Sequence, residues 1–251
     1  MIKKHKELKT PHGNSTIWRY MGLDKFLDLL TTNDLYFTNA SKMTDRYEGV
    51  VPRKTLKSKR KRLEKLGKDP RDIDESISIF NVQYSSLKEL TLINCWSINP
   101  SESYALWKIY LGGSKSGVAI KTNVSKLKKA IDLGNDAYDE DIYLGKVEYT
   151  DFIPDKELNR WKLVTTKNTF YEFESELRLF IFHYPRSEGG IKPPYEIAHG
   201  RRVKVDLETL IDKIYLSPFS GIWFEETFKN LIAKLSPSMQ KKVVVSDVQD
   251  Q

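Results

Sequence analysis

The chain has 251 residues, 39% hydrophobic, 12% aromatic and 30% charged, with a formal net charge of +7 and a single cysteine, Cys95. That length is at the upper end of what one hydrophobic core serves and predicts one domain over residues 1–251. A mean hydropathy of −0.51, with no apolar run near the roughly 18 residues a membrane helix needs, excludes a helical membrane protein. One cysteine excludes an intramolecular disulfide and a cysteine-rich zinc site.

The basic opening Met1-Ile2-Lys3-Lys4-His5-Lys6 has no apolar segment behind it, so no secretory signal is read there and a cytoplasmic location is expected. Ile17–Tyr20 reads as a first strand, and Leu23, Phe26, Leu27 and Leu30 recur at helical spacing. Asn33-Asp34 turns the chain into a second strand, Leu35–Thr38. The polar run from Asn39 to Gly49 predicts a surface loop of the kind that carries sites. Residues 52–90 read as a basic, helical insertion. Between Arg53 and Arg71 ten basic residues stand against two acids, Glu64 and Asp69, so the rest of the chain is nearly neutral. Lys59, Arg60, Lys61 and Arg62 at its centre are candidates for tracking a phosphate backbone. Few aromatics are interleaved for base stacking, however, and a solvated lysine-rich helix has the same composition.

A helix from Asp72 to Leu87 leads into a buried strand, Thr91–Ser97, and a helix beginning near Ser101 closes at Gly112-Gly113. Strand Gly117–Thr122, amphipathic helix Val124–Ile131, strand Ile142–Tyr149 and a helical stretch Trp161–Lys167 follow. Then come strands Tyr171–Phe182 and Arg202–Val205, with a Gly- and Pro-rich loop or flap, Ser187–Gly200, between them. Strands Ile211–Leu216 and Lys242–Ser246 flank a helix, Phe224–Leu235. This order lacks steady β-α alternation and predicts an α+β fold with a mixed or antiparallel central sheet flanked by helices.

Several chemistries have no support. Gly112-Gly113 followed by Gly117 has the wrong spacing for a phosphate-binding glycine loop. His5, His12, His183 and His199 lack metal-ligand spacing, so no histidine metal site is read. Cys95, inside an apolar strand, reads as inert core. The segment Tyr171–Arg178 is different. Extended alternation places Glu172, Glu174, Glu176 and Arg178 on one face and Phe173, Ser175, Leu177, Leu179 and Ile181 on the other. Carboxylates about 7 Å apart raise one another's pKa unless a cation compensates. Such a face suits general acid/base work or a ribose; it equally describes a solvent-facing strand neutralised by Arg178 and nearby lysines.

Arg19-Tyr20, Leu35–Asn39 leading to Asp45 and Glu48-Gly49, Cys95-Trp96-Ser97, Leu106-Trp107 through Tyr110, Gly117–Ile120 and Tyr171–Arg178 together resemble the bacterial domain-of-unknown-function family 2971. The likeness runs from about Trp18 to Trp223, with departures at Ala40–Thr44 and in the long basic insert. A more distant similarity is to ADP-ribosyltransferases, carried by Arg19 on the first strand, Ser97 closing a middle strand and the pair Glu174-Ser175-Glu176. That resemblance implies NAD as co-substrate, with Arg19 on its phosphates, Ser97 at the nicotinamide pocket, Glu176 as catalytic glutamate and Glu174 as accessory carboxylate. Tyr20, Tyr36, Trp107, Tyr110 and Arg178 complete the expected cofactor contacts, the aromatic rings offering surfaces for nicotinamide.

Three functions therefore stand as expectations. The first is an NAD-dependent ADP-ribosyltransferase-like enzyme acting on a nucleic-acid or protein acceptor, with a toxin or phage-defence role by extrapolation. The second is a non-enzymatic nucleic-acid-binding or regulatory module using residues 53–71. The third is a Mg²⁺-dependent nuclease or phosphodiesterase using Asp45, Glu48, Glu174 and Glu176.

Overall fold

A computed structural model describes residues 2–43, 49–134, 140–184 and 199–248. Asp45 and Glu48, and the greater part of the expected flap Ser187–Gly200, lie outside the described residues. The strands are β1 Ile2–Lys3, β2 Thr16–Gly22, β3 Asp34–Asn39, β4 Thr91–Ile98, β5 Gly117–Asn123, β6 Ile142–Lys146, β7 Glu148–Tyr149, β8 Thr166–Lys167, β9 Glu176–Phe182, β10 Gly200–Lys204, β11 Lys213–Leu216 and β12 Val243–Val245. The α-helices are α1 Leu23–Thr32, α2 Arg53–Lys65, α3 Pro70–Ser85, α4 Tyr104–Leu111, α5 Val124–Gly134, α6 Arg160–Val164, α7 Leu207–Leu210 and α8 Ile222–Leu235. No described helix is long and apolar enough to cross a membrane.

The main sheet runs β1-β6-β9-β4-β2-β5-β11-β12. It is mixed: β1 on β6 and β12 on β11 are parallel, while the central pairs are antiparallel. The chain is one α+β domain, as its element order predicts. One face of the sheet, with Ile17, Met21, Ile120, Trp96, Leu177 and Leu179, shares a large core with Phe26 of α1, Leu127 of α5 and Phe228 of α8. The other face is covered in two smaller pieces. Trp18, Tyr20 and Ala119 pack on Leu106, Trp107 and Leu111 of α4, while Ile93, Phe180 and Phe182 pack on Trp161 and Val164 of α6. Between these apolar pieces lie Ser97, Glu176 and Arg178, all buried, and half-buried Cys95.

β4 divides the sheet. Along one edge it pairs with β9 from Thr91↔Phe182 to Ser97↔Glu176. Along the other it pairs with β2 only at Ile17↔Ile98 and Trp18↔Ser97, and with β3 only at Thr38↔Ile93 and Asn39↔Leu92. Residues 94–96 therefore face a fork, and side chains fill the missing ladder. Asn94 Nδ2 donates to the Tyr36 carbonyl at 2.9 Å, Trp96 Nε1 donates to Asn94 Oδ1 at 2.8 Å, and Arg19 Nη1 donates to the Cys95 carbonyl at 2.9 Å.

The basic insertion forms the helical pair α2 and α3, seated on a fourth cluster in which Leu56, Phe80 and Tyr84 meet Val51, Ile153, Leu158 and Leu163. Fully buried Thr55 ties it to the body. Its Oγ1 donates to the Ile153 carbonyl at 2.6 Å and accepts from the Ile153 N–H at 3.1 Å. Thr55→Val keeps the shape but strands both backbone groups, so a loss of about 1–3 kcal/mol in urea unfolding is expected. An unchanged midpoint would show that this tie carries nothing.

The expected strand Tyr171–Phe182 is corrected at its first half. Thr169–Glu174 is a 3₁₀ helix: the Asn168 side chain accepts from Phe170 N–H at 3.0 Å, and Ser175 takes a left-handed conformation with φ of 44°. These local caps override the apparent alternation. The strand begins at Glu176, so neither Glu172 nor Glu174 shares a strand face with Glu176, and Glu172 is exposed. Glu176 and Arg178 do share one.

Candidate functional site

A cavity of about 340 Å³ occupies the fork and is lined by Arg19, Tyr20, Tyr36, Cys95, Ser97 and Tyr110, with Lys25 and Lys42 at the α1 and β3 side. Each wall residue is set by its element. Trp18 pairs with Ser97 and Ser97 with Glu176, so the three side chains share one sheet face at successive strands. The Arg19 side chain enters through the gap between β2 and β4. Its single hydrogen bond is to the Cys95 carbonyl, its guanidinium lies 5.8 Å from the Trp96 ring centroid, and no described carboxylate pairs with it. Burial holds its pKa below the usual arginine value, yet a guanidinium keeps its charge at neutral pH. The cavity thus holds a half-buried cation with donors to spare. Tyr20 is anchored by its hydroxyl, which accepts from Ser103 N–H at 2.8 Å, and stacks at 6.2 Å on Tyr110.

Glu176 lies behind this wall and is 3% exposed. Arg178, which has no exposed surface, grips it in a two-point bond: Nε to Oε1 at 2.8 Å and Nη2 to Oε2 at 2.9 Å. The remaining Arg178 Nη1 donates to the Val164 carbonyl at 2.5 Å. The Cys95 thiol also donates to the carboxylate, and Lys167 Nζ stands 3.6 Å from Oε2. Burial acts to raise the Glu176 pKa, but the Arg178 charge and hydrogen bonds, with Lys167 and Cys95, outweigh it and bring the value down to about 2. Glu176 is therefore a fixed anion at neutral pH, not a proton donor. Its charge reaches the cavity: burial, then Cys95 and the two carboxylates Glu176 and Glu174, push the Tyr110 phenol well above its usual value, so Tyr110 stays a neutral donor.

Glu174 comes back to Glu176 through Lys167, which sits 2.7 Å from Glu174 Oε2. The Glu174 carbonyl accepts from Ser97 Oγ at 2.6 Å, and the Glu176 N–H donates to Tyr149 Oη at 2.7 Å. Arg19, Tyr20, Tyr36, Ser97 and Tyr110 meet at one cavity, with Glu176 as its backing and Glu174 one lysine away. Two expected cofactor contacts do not reach it. Trp107 is fully buried beneath Tyr20 and donates to Glu102 at 3.0 Å, and Arg178 is occupied in positioning Glu176. Lys59, Arg60, Lys61 and Arg62 lie apart on α2. Sequence reasoning missed Lys167, Tyr149, Lys25 and Lys42, and it assigned Cys95 to inert core. In the fold Cys95 borders the cavity and touches Glu176.

Among the described residues no group of three or more His, Cys, Asp and Glu is arranged to hold a metal ion. No model of a known protein family matches the chain, and no curated protein matches it.

Proposed function

We propose that the protein is an NAD-consuming ADP-ribosyltransferase-like enzyme whose co-substrate binds in the fork of the sheet. The observation that carries this reading is the Arg19 guanidinium, half-buried, facing the cavity and free of any described carboxylate, beside two tyrosines and backed by the fixed Glu176 anion. A cavity of about 340 Å³ is at the small end of ligand sites and suits the nicotinamide nucleotide half of NAD, with the adenosine half extending over the rim. Arg19 holds phosphate oxygens, Tyr110 offers a ring face and a neutral hydroxyl, and Ser97 offers a hydroxyl at the nicotinamide end.

In the transfer, the bond from ribose C1′ to the nicotinamide nitrogen breaks and nicotinamide leaves with the electron pair. The positive charge left on the ribose is offset by Glu176, already ionised and held rigid by Arg178. An acceptor lone pair forms the new bond to C1′, and the acceptor proton passes to Glu174 and then to water. The reading is tested by incubating the protein with labelled NAD and candidate acceptors. Wild type is expected to release nicotinamide, and Tyr110→Ala to weaken NAD binding by roughly three- to tenfold through loss of the ring contact. Neither nicotinamide release nor label transfer from wild type would sink the enzyme reading.

A further inference from the structure

We propose that the exposed lysine ridge of α2 takes the phosphate backbone of a nucleic acid and leads that strand, as acceptor, towards Glu174 and Glu176. The acceptor role rests on the transferase reading; the backbone binding does not. Lys54, Lys57, Lys61 and Lys65 follow one another at helical spacing on one face of α2 and, with Ser58 and Arg62, line an open hollow of about 560 Å³. At about 1.5 Å per residue the ridge spans about 16 Å, the length of four or five nucleotides at about 3.4 Å each. Lys57, Lys61 and Lys65 are exposed and pair with no described acid. Of the acids near the ridge, Asp151 is engaged by Lys54 at 2.5 Å and Asp155 by Arg62 at 2.6 Å, and Glu64 is the one acid on α2 itself.

The structure redistributes the contacts that composition favours. Lys59 lies over the Phe80 ring at 4.5 Å, Arg60 pairs with Asp74, and Arg62 pairs with Asp155, so these cations hold the insertion together. The charges left for a ligand are interleaved with these, at Lys57, Lys61 and Lys65. No apolar side chain interrupts the ridge, which favours a phosphate polymer over a bilayer, whose surface would take an apolar stripe beside the lysines. The ridge also leads somewhere. Lys54 is shared with a neighbouring cleft of about 390 Å³ that reaches Lys167, the residue holding Glu174 and Glu176. The cleft is lined by Lys167 and by neither glutamate, so it meets the Arg19 site across this lysine. A base nitrogen or sugar hydroxyl arriving by it would form the bond to C1′ as nicotinamide leaves with the electron pair, its proton passing to Glu174.

Anisotropy of a fluorescent single-stranded oligonucleotide, and of the same sequence as duplex, tests the binding. If the three free lysines each neutralise one phosphate, affinity falls roughly twentyfold for the single strand and roughly fortyfold for the duplex between about 50 and 200 mM salt. The triple variant Lys57→Glu, Lys61→Glu, Lys65→Glu is expected to lose binding more than tenfold while its affinity for NAD is unchanged. Absent binding, salt-independent binding, equal binding by the variant, or capture of anionic phosphatidylserine vesicles in place of oligonucleotide would each overturn the ridge assignment. Nicotinamide release by a protein that binds the oligonucleotide but never labels it overturns the acceptor role. Absence of any NAD turnover is the failure of the transferase reading alone, and anisotropy still decides the ridge.

Discussion

Arg178→Leu is expected to lower the unfolding free energy by about 3–5 kcal/mol, because it leaves the Glu176 carboxylate buried without its partner. Glu176→Gln has a similar cost from the other side, leaving a fully buried guanidinium uncompensated. The double replacement Glu176→Met, Arg178→Leu removes both charges together and should recover most of the loss, since apolar groups of similar volume replace a buried pair at little net cost. Urea unfolding measures all three. The double variant also separates stability from chemistry: it should fold and still fail to release nicotinamide from NAD, whereas a purely structural pair would leave turnover intact. The same pair makes stability depend on pH. The folded pKa of Glu176, about 2, lies below its ordinary value of 4.5, so its contribution of about 3 kcal/mol is complete above that ordinary value. It is lost as pH falls from about 5 through 2. In the double variant that part of the acid transition disappears.

Arg19→Ala is expected to weaken NAD binding by roughly ten- to a hundredfold, the value of hydrogen bonds made to a charged group. Arg19→Lys should recover only part of this, because an ammonium lacks the planar fork that meets two phosphate oxygens at once. Stability should change little: the side chain makes one hydrogen bond to the protein, and its burial already disfavours the charge. Titration calorimetry with NAD, set beside thermal unfolding, checks both halves. Equal affinity in wild type and Arg19→Ala would remove the arginine from the site, and with it the observation that carries the transferase reading.

The fold was legible wherever a periodic apolar pattern met a clear stop. Leu23, Phe26 and Leu30 and the Asn33 turn locate α1, and Ser103 and Gly112 bracket α4. The reading failed at Tyr171–Ser175, where alternating glutamates and aromatics mimic a strand but the Asn168 cap and the left-handed Ser175 wind the chain into a 3₁₀ turn. Phe170 and Phe173 are consequently exposed. Of the site, Arg19, Ser97 and Tyr110 were named from the distant resemblance to ADP-ribosyltransferases, yet their convergence depends on β4 pairing with both β2 and β9, a long-range fact that no local pattern encodes. Lys167 left only a faint signal, a cation seven residues before Glu174. Cys95 was misjudged because an apolar strand has two faces, and only topology shows that the face bearing Cys95 opens on a cavity.

Residues 94–96 also amount to a sheet edge hidden inside the sheet. An unpaired strand edge invites a foreign extended segment to add to it, and proteins commonly guard such edges with inward-pointing charge. Arg19 occupies the Cys95 carbonyl there, and Asn94 and Trp96 hold each other across the same three residues. Arg19, proposed above as a phosphate ligand, thereby also caps a strand edge that the fork leaves without a ladder partner.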